Sequence, residues 1–186
     1  RANEVTGSPQ DVLHLIGNAE IRRGGATLKG DRLTYTQETD EVVARGGVLL
    51  SKNGATFTGQ EANYRIDAQS GSMPDADYTF EARGLRGCAK QVEFIDGSHI
   101  SMADALITSC PKGSKSWWVS LDQLDLDQGD SSALGRWASL YLGGVPVFGF
   151  PWFDFPIGQE RKSGFLTPSM TMSTSKGLQI SVPYYW

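Results

Sequence analysis

Few residues in this chain of 186 have a type and spacing that could support catalysis or metal binding. A calcium-binding loop is only faintly suggested by Asp125, Asp127 and Gly129, because Arg136 stands where that loop needs its last, bidentate acid. The sequence GDSS at 129–132 places serines after a glycine, but no histidine follows it that could act as a general base. We interpret these residues as the solvent-facing side of a strand and the turn after it.

Histidine and cysteine are also too sparse for a metal centre. A structural zinc ion takes four nitrogen or sulfur ligands, and His14, His99, Cys88 and Cys110 lie at spacings that are unsuited to one site. We therefore predict no enzyme, with no catalytic residues, no metal and no cofactor. For Cys88 and Cys110, a mutual disulfide and a pair of buried free thiols both remain open.

The composition favours a turn-rich β-protein and argues against nucleic acid as a partner. Glycine is frequent, with 22 residues, and only 20% of the residues are charged. The formal net charge of −4 provides no field that would attract nucleic acid. No run of 18 apolar residues occurs, so we expect no transmembrane helix, and the first ten residues lack the apolar region of an export signal.

Short apolar alternations of period 2 run from Val12 to Leu142 and predict β-strands throughout this part of the chain. Glycine and small polar residues separate them. Among them are VLHLI at 12–16, AEI at 19–21, EVVA at 41–44, GVLL at 47–50, ATFTG at 55–59 and EANYRI at 61–66. Because no ten-residue segment has a competing helical period, the predicted fold class is all-β.

An internal repeat organises these strands. GATLKGDRLTY at 25–35 matches GATFTGQEANY at 54–64, an offset of 29 residues (54 − 25), and we predict a weaker third copy at 96–107. Such spacing is typical of stacked units that cannot bury their apolar faces alone. The repeat therefore predicts coils of short strands stacked on one another.

Folding the repeat places a set of large apolar residues on one face. This face is either the packed core between two sheets or the wall of an apolar slot for lipid chains, and composition does not separate the two. The set consists of Ile21, Leu28, Tyr35, Leu50, Phe57, Tyr64, Phe80, Phe94, Ile100 and Val119.

The stretch from Gly143 to Pro168 differs from everything before it. It combines apolar and aromatic residues with Pro146, Pro151, Pro156 and Pro168, and its apolar part is followed by a charged cluster at 160–162. Each proline lacks a backbone N–H, so a helix or a central strand through this stretch is not expected. We interpret it as the junction between two environments.

Three motifs in a fixed order resemble the LptD family of outer-membrane lipopolysaccharide-assembly proteins, also called OstA or organic solvent tolerance proteins. They are TSCPKGSKSWWV at 108–119, GGVPVFGFPWFDFPIGQERKSGFLTPS at 143–169 and PYYW at 183–186. The upstream repeat is similar to the β-jellyroll that this family shares with the periplasmic proteins LptA and LptC. Together these similarities cover nearly the whole chain.

The resemblance implies three parts and a role in lipopolysaccharide transport. Residues 5–145 would form a periplasmic OstA-type β-jellyroll, 146–162 the junction, and 163–186 the first two strands of an otherwise missing outer-membrane barrel. The jellyroll would receive lipopolysaccharide from LptA by edge-strand addition and pass it to the lateral gate of the barrel at the outer membrane. LptE would act mainly through the barrel. The alternative is a docking module that binds LptA or LptC and carries no lipid.

The resemblance also implies roles for particular residues. The apolar set named above would line the lipid groove, and the junction and gate would use Pro146, Phe148, Phe150, Pro168 and Pro183. Arg161 and Lys162 would meet lipid phosphates. Cys110 matches a family cysteine whose partner would lie in the missing barrel, whereas Cys88 has no family counterpart.

Overall fold

The structure, a computed structural model, describes residues 1–7, 12–81, 84–111, 113–114, 116–130 and 132–156, and the backbone of four short strands beyond them. The strands are β1 (Glu4–Gly7), β2 (Val12–Arg23), β3 (Ala26–Thr36), β4 (Glu41–Lys52), β5 (Ala55–Arg65), β6 (Ser70–Phe80), β7 (Leu85–Phe94), β8 (His99–Thr108), β9 (Trp117–Asp127), β10 (Ser132–Leu142), β11 (Val145–Pro156), β12 (Gly164–Phe165), β13 (Ser169–Ser173), β14 (Gly177–Ser181) and β15 (Tyr184–Tyr185).

The first eleven strands form one antiparallel sheet in which every strand pairs with its neighbours in sequence, from β1 to β11. Short polar turns make these hairpins, because consecutive antiparallel strands need only a few residues to reverse direction. The all-β prediction is confirmed. Among the described residues, no helix is long and apolar enough to cross a membrane. Two further two-stranded pairings join β12 to β15 and β13 to β14.

The long strands share an interruption near their middle, which we call the fold line. In one strand after another, residues at this level have no paired residue in the neighbouring strand. Several of them have positive φ, including Asn18, Asp75, Asp104 and Trp137 at 45–49°. The positions are Gly17, Asn18, Asp31, Gly46, Gly47, Gln60, Asp75, Lys90, Asp104, Asp122, Trp137 and Pro151. Asparagine, aspartate and glycine tolerate this backbone region best, so the fold line is encoded locally.

Bending at the fold line closes the sheet on itself. Tyr64 on β5 pairs with Gly71 on β6, and Gly71 pairs with Phe94 on β7, so Tyr64 and Phe94 lie in one row across the strands. Tyr64 lies seven residues beyond Phe57 on β5. On a flat sheet Phe57 and Phe94 would therefore be about 23 Å apart along the strands. Their ring centroids are 5.0 Å apart. The two halves of the sheet thus face each other across one apolar layer.

The repeat has a simple structural basis. Its two clear copies are β3 and β5, and the offset of 29 residues is one hairpin of two long strands. The next strand of the same direction is β7 (Leu85–Phe94), so the third unit lies there and not at 96–107 as predicted. Residues 96–107 cover a turn and most of β8, and β8 runs antiparallel to β7 and therefore opposite to β3 and β5.

The first part of the predicted junction is the last strand of the large sheet. β11 pairs with β10 from Val145 to Pro156, and among the described strands it pairs with no other. Its prolines fall where few ladder hydrogen bonds are lost: Pro146 near the start, Pro151 at the fold line and Pro156 at the end. The functional division at residue 145 remains a prediction.

Candidate functional site

The inner layer of the folded sheet contains all ten residues predicted to share one face. Six of them are buried members of one apolar cluster, and four are partly buried and pack against it. The buried six are Leu28, Leu50, Phe57, Tyr64, Phe94 and Ile100, and the partly buried four are Ile21, Tyr35, Phe80 and Val119. The shared face is therefore observed, whereas lipid contact by these residues remains a prediction.

An aromatic cluster occupies the centre of this layer. Phe57 is fully buried and contacts Tyr78, Phe80 and Phe94, with ring centroids 5.0–6.4 Å apart. Gly87 lies opposite Tyr78 and leaves room for its ring, so that Tyr78 Oη donates to the Leu106 carbonyl at 2.9 Å. The centre of the interior is therefore filled by the protein's own side chains.

Polar contacts between turns close the free side of the folded sheet. We call them the turn clasp: Arg23, Gly24, Lys52 and Asn53 at one strand end, and Asp40, Asp67, Gln69, Asp96, Gly97 and Gln128 at the other. Arg23 Nη2 lies 2.9 Å from Asp67 Oδ1, and Asn53 Nδ2 donates to Gln128 Oε1 at 2.9 Å. These partners are far apart in sequence and meet only because the sheet bends.

Lys52 is the most deeply buried member of the clasp, with 3% of its surface exposed. Its Nζ donates to the Asp96 carbonyl oxygen at 3.2 Å. Burial lowers the pKa of the Lys52 ammonium, and the nearby Asp96 charge partly opposes that shift. Sequence reasoning missed the clasp, because its residues read as ordinary turn residues.

The interior opens at β11. Phe148 pairs with Leu140 and Phe150 with Ala138, both of which are buried on the inner face, so the two phenylalanines project to the same side. Yet Phe148 is 56% and Phe150 45% exposed. The buried apolar layer thus continues to exposed aromatic side chains on β11. A role of this edge as a junction or gate remains a prediction.

The pairing of β7 with β8 bears on the two alternatives for the cysteines, a Cys88–Cys110 disulfide and a pair of buried free thiols. Cys88 is exposed on β7 opposite Leu106, whereas Cys110 is buried four residues beyond that partner. Four residues correspond to about 13 Å along a strand, too far for a disulfide. Both thiols are free, so a Cys88–Cys110 bond and two buried thiols are both wrong. Pairing of Cys110 with a cysteine outside this chain remains a prediction.

Cys110 lies in a tightly held loop. Arg86 donates to the Cys110 carbonyl at 2.5 Å and to the Pro111 carbonyl, while Thr108 Oγ1 donates to the Trp117 carbonyl at 2.7 Å. Burial opposes ionisation of the thiol, but hydrogen bonding, with Thr108 the largest contributor, lowers the pKa of Cys110 overall.

His99 connects the turn at 95–98 to the end of β9 through contacts with two aspartates. Its Nδ1 lies 2.8 Å from Asp96 Oδ2 and its Nε2 lies 3.2 Å from Asp127 Oδ2. The hydrogen bond and charge of Asp96 raise the pKa of His99, and Asp127 adds to this effect. Backbone hydrogen bonds, chiefly from Ser98 and from Asp130, lower the pKa of Asp96 and of Asp127. Among the described residues, no group of three or more acidic, histidine or cysteine side chains could hold a metal.

The pKa shifts of His99, Asp96 and Asp127 predict that the protein is most stable in mildly acidic solution. The contribution of His99 is complete below its ordinary pKa of about 6.5 and is lost as pH rises through the raised value. The contributions of Asp96 and Asp127 are complete above about pH 4 and are lost as pH falls through the lowered values. We expect a modest fall in melting temperature between pH 6 and 8.5 that His99→Gln removes. An unchanged pH profile in that variant would contradict this account.

Four predicted site residues lie outside the described part of the chain. They are Arg161, Lys162, Pro168 and Pro183. Their roles at lipid phosphates and at the lateral gate therefore remain predictions.

The protein belongs to the all-β class. It is a single antiparallel sheet that bends around an apolar interior and is closed on one side by the turn clasp. No family model matches the chain. It is 37% identical over 185 residues to the LPS-assembly protein LptD of Ralstonia nicotianae, covering 100% of this chain and 23% of that relative. LptD of Cupriavidus metallidurans is 39% identical, with 99% of this chain and 22% of the relative covered. LptD of Burkholderia thailandensis is 36% identical, with 100% and 24% covered.

The chain belongs to the LptD family and spans about a quarter of the length of the curated relatives it matches. Among solved structures, LptH of Pseudomonas aeruginosa, described as the LptA homologous periplasmic component of the lipopolysaccharide transport device, is similar over 69% of this chain and 73% of its own. That similarity has a TM-score of 0.28 and 14% identity.

Proposed function

We propose that this chain is a lipopolysaccharide-handling module of an LptD protein. It acts at the periplasmic face of the outer membrane, receives lipopolysaccharide from an LptA-type bridge, and passes it toward a barrel encoded outside this chain. The observation that carries the proposal is the continuity of the inner apolar layer from the buried cluster to the exposed Phe148 and Phe150 on β11. Contiguous exposed apolar surface of this kind marks binding sites.

The acyl chains bind where the inner layer is incompletely covered. Val119 and Phe153 are partly buried against this layer, and Phe80 is partly buried beside the central aromatic cluster. Among the described strands, none pairs with the outer side of β11 in the large sheet. The centre is filled by Phe57 and its neighbours, so lipid reaches it only when the two halves of the sheet separate. The turn clasp sets the cost of that separation.

Site-specific photocrosslinking to purified lipopolysaccharide tests this function. A benzophenone amino acid is placed in turn at Phe80, Val119 and Phe150. Trp152 is the matched control on the same strand, because it pairs with the outward-facing Arg136 and is 67% exposed. Glu38, in an exposed turn, is a second control.

We expect lipopolysaccharide adducts at the three inner positions and background at both controls. Each variant must keep the parental melting temperature. Equal adduct yields at Trp152 and Phe150, or none at all three inner positions, would overturn the lipid-carrying function.

A docking module without lipid is the second candidate, and the filled centre of the interior favours it. Among the described strands, β1 (Glu4–Gly7) pairs only with β2, so its other edge is available for strand addition. An edge-binding module would retain its partner after Phe150 is replaced. A lipid carrier would lose lipid adducts with the same replacement.

A further inference from the structure

The hydroxyl group of Tyr64 is a buried polar group that the fold leaves without a partner. Tyr64 is 2% exposed, and among the described side chains its Oη is the buried atom that has no hydrogen-bond partner. The other inner-layer tyrosines are satisfied. Tyr35 Oη donates to Asp40 Oδ1 and Tyr78 Oη donates to the Leu106 carbonyl, both at 2.9 Å. A buried hydroxyl without a partner costs free energy that a phenylalanine would avoid.

The internal repeat gives a second, independent observation. Tyr35 and Tyr64 occupy the same position in the two copies, and the acceptor Asp40 corresponds to Gln69, since both lie five residues after their tyrosine. Gln69 does not accept from Tyr64, whose Oη has no partner. Gln69 Nε2 instead donates to the Gly24 carbonyl at 3.2 Å in the turn clasp. In the first copy the tyrosine hydroxyl therefore has a hydrogen-bond partner, Asp40. In the second copy the corresponding hydroxyl of Tyr64 is buried in the apolar layer without one.

The surroundings of Tyr64 define what could bind there. Its ring packs edge-on against Phe94 with centroids 5.8 Å apart, and Phe94 also contacts Phe57. Burial raises the pKa of the Tyr64 hydroxyl, so it stays protonated and can donate. A neutral donor among aromatic rings suits a neutral oxygen acceptor on a hydrocarbon chain. It brings no charge to balance a phosphate.

Resting on the proposed function, we propose that Tyr64 Oη donates a hydrogen bond to the carbonyl oxygen of an ester- or amide-linked acyl chain bound in the interior. Tyr64 thereby fixes how deeply the acyl linkage enters, while the aromatic cluster contacts the hydrocarbon. The site takes the acyl-linkage class of amphiphile and discriminates against chains that lack the carbonyl.

Removing the hydroxyl has different consequences in the free and the bound protein. Tyr64→Phe should leave the melting temperature of the lipid-free chain unchanged or raise it, because an unsatisfied group is removed. Tyr78→Phe is the matched control and should lower it, because its hydroxyl is bonded to the Leu106 carbonyl. A lower melting temperature for Tyr64→Phe would mean that the hydroxyl is already satisfied in the free protein, and would overturn the inference.

The binding test uses the full chain and two matched ligands, 1-monolauroylglycerol and its ether analogue 1-dodecylglycerol, which lacks the carbonyl. We expect the parent to prefer the ester by about two- to tenfold in Kd, the range of one neutral hydrogen bond. In Tyr64→Phe the preference should disappear, while ether binding is unchanged. An equal ester preference in parent and variant would overturn the role of Tyr64 alone. A parent that binds neither glyceride nor lipopolysaccharide would overturn the proposed function as well.

Discussion

Phe57→Ala should lower the free energy of unfolding by about 3–5 kcal/mol, the usual cost of truncating a fully buried phenylalanine. Phe57 is 0% exposed and touches three other rings, so neighbouring side chains cannot collapse into the space without losing contacts of their own. Urea unfolding followed by tryptophan fluorescence measures the change. Trp137→Ala is the control, since Trp137 is 68% exposed and should change stability far less.

Phe57→Ala also distinguishes the lipid-carrying function from the docking module. The cavity left by Phe57→Ala lies between the two halves of the sheet, where the lipid-carrying function places acyl chains. A ligand that binds only the folded state raises stability by mass action, so lipopolysaccharide should restore part of the loss. A docking module with a closed core would show the full loss at every lipid concentration. A loss below about 1 kcal/mol would contradict the packing itself.

Gly87→Ala should destabilise the fold by about 3 kcal/mol or more, an unusually large effect for the addition of one methyl group. A Cβ at Gly87 would overlap the Leu106 carbonyl oxygen and would lie 2.7 Å from Cζ and Oη of Tyr78. The variant must therefore shift β7 from β8 to clear the Leu106 carbonyl. It must also displace the Tyr78 ring, which breaks the Tyr78–Leu106 hydrogen bond.

Gly149→Ala is the matched control for Gly87→Ala. Gly149 also lies in a strand without positive φ, and the nearest atom to its added Cβ would be the Ala138 carbonyl oxygen at an ordinary 3.9 Å. We expect its melting temperature to stay within about 2 °C of the parent, as for an unstrained surface change. Equal melting temperatures for the two alanine variants would show that the sheet accommodates a side chain at position 87.

Much of the strand pattern was predictable, with one instructive difference. The sequence predicts VLHLI and AEI as separate strands, whereas both are halves of β2. The pairs EVVA with GVLL and ATFTG with EANYRI are likewise halves of β4 and β5. The breaks between them are positions of the fold line, where glycine and polar residues interrupt the alternation. Local sequence therefore located the bend but not its consequence.

The all-β class, the shared face of the ten apolar residues and the resemblance to the LptD family could be predicted from the sequence, because period-2 alternation, turn residues and motif order are local properties. Which turns meet depends on the folded sheet, as do the burial of Lys52, the different exposure of Cys88 and Cys110, and the lack of a partner for Tyr64 Oη. The clasp joins Lys52 to Asp96 across 44 positions and Asn53 to Gln128 across 75. Such contacts depend on the angle at which the whole sheet bends, and no short stretch of sequence determines that angle.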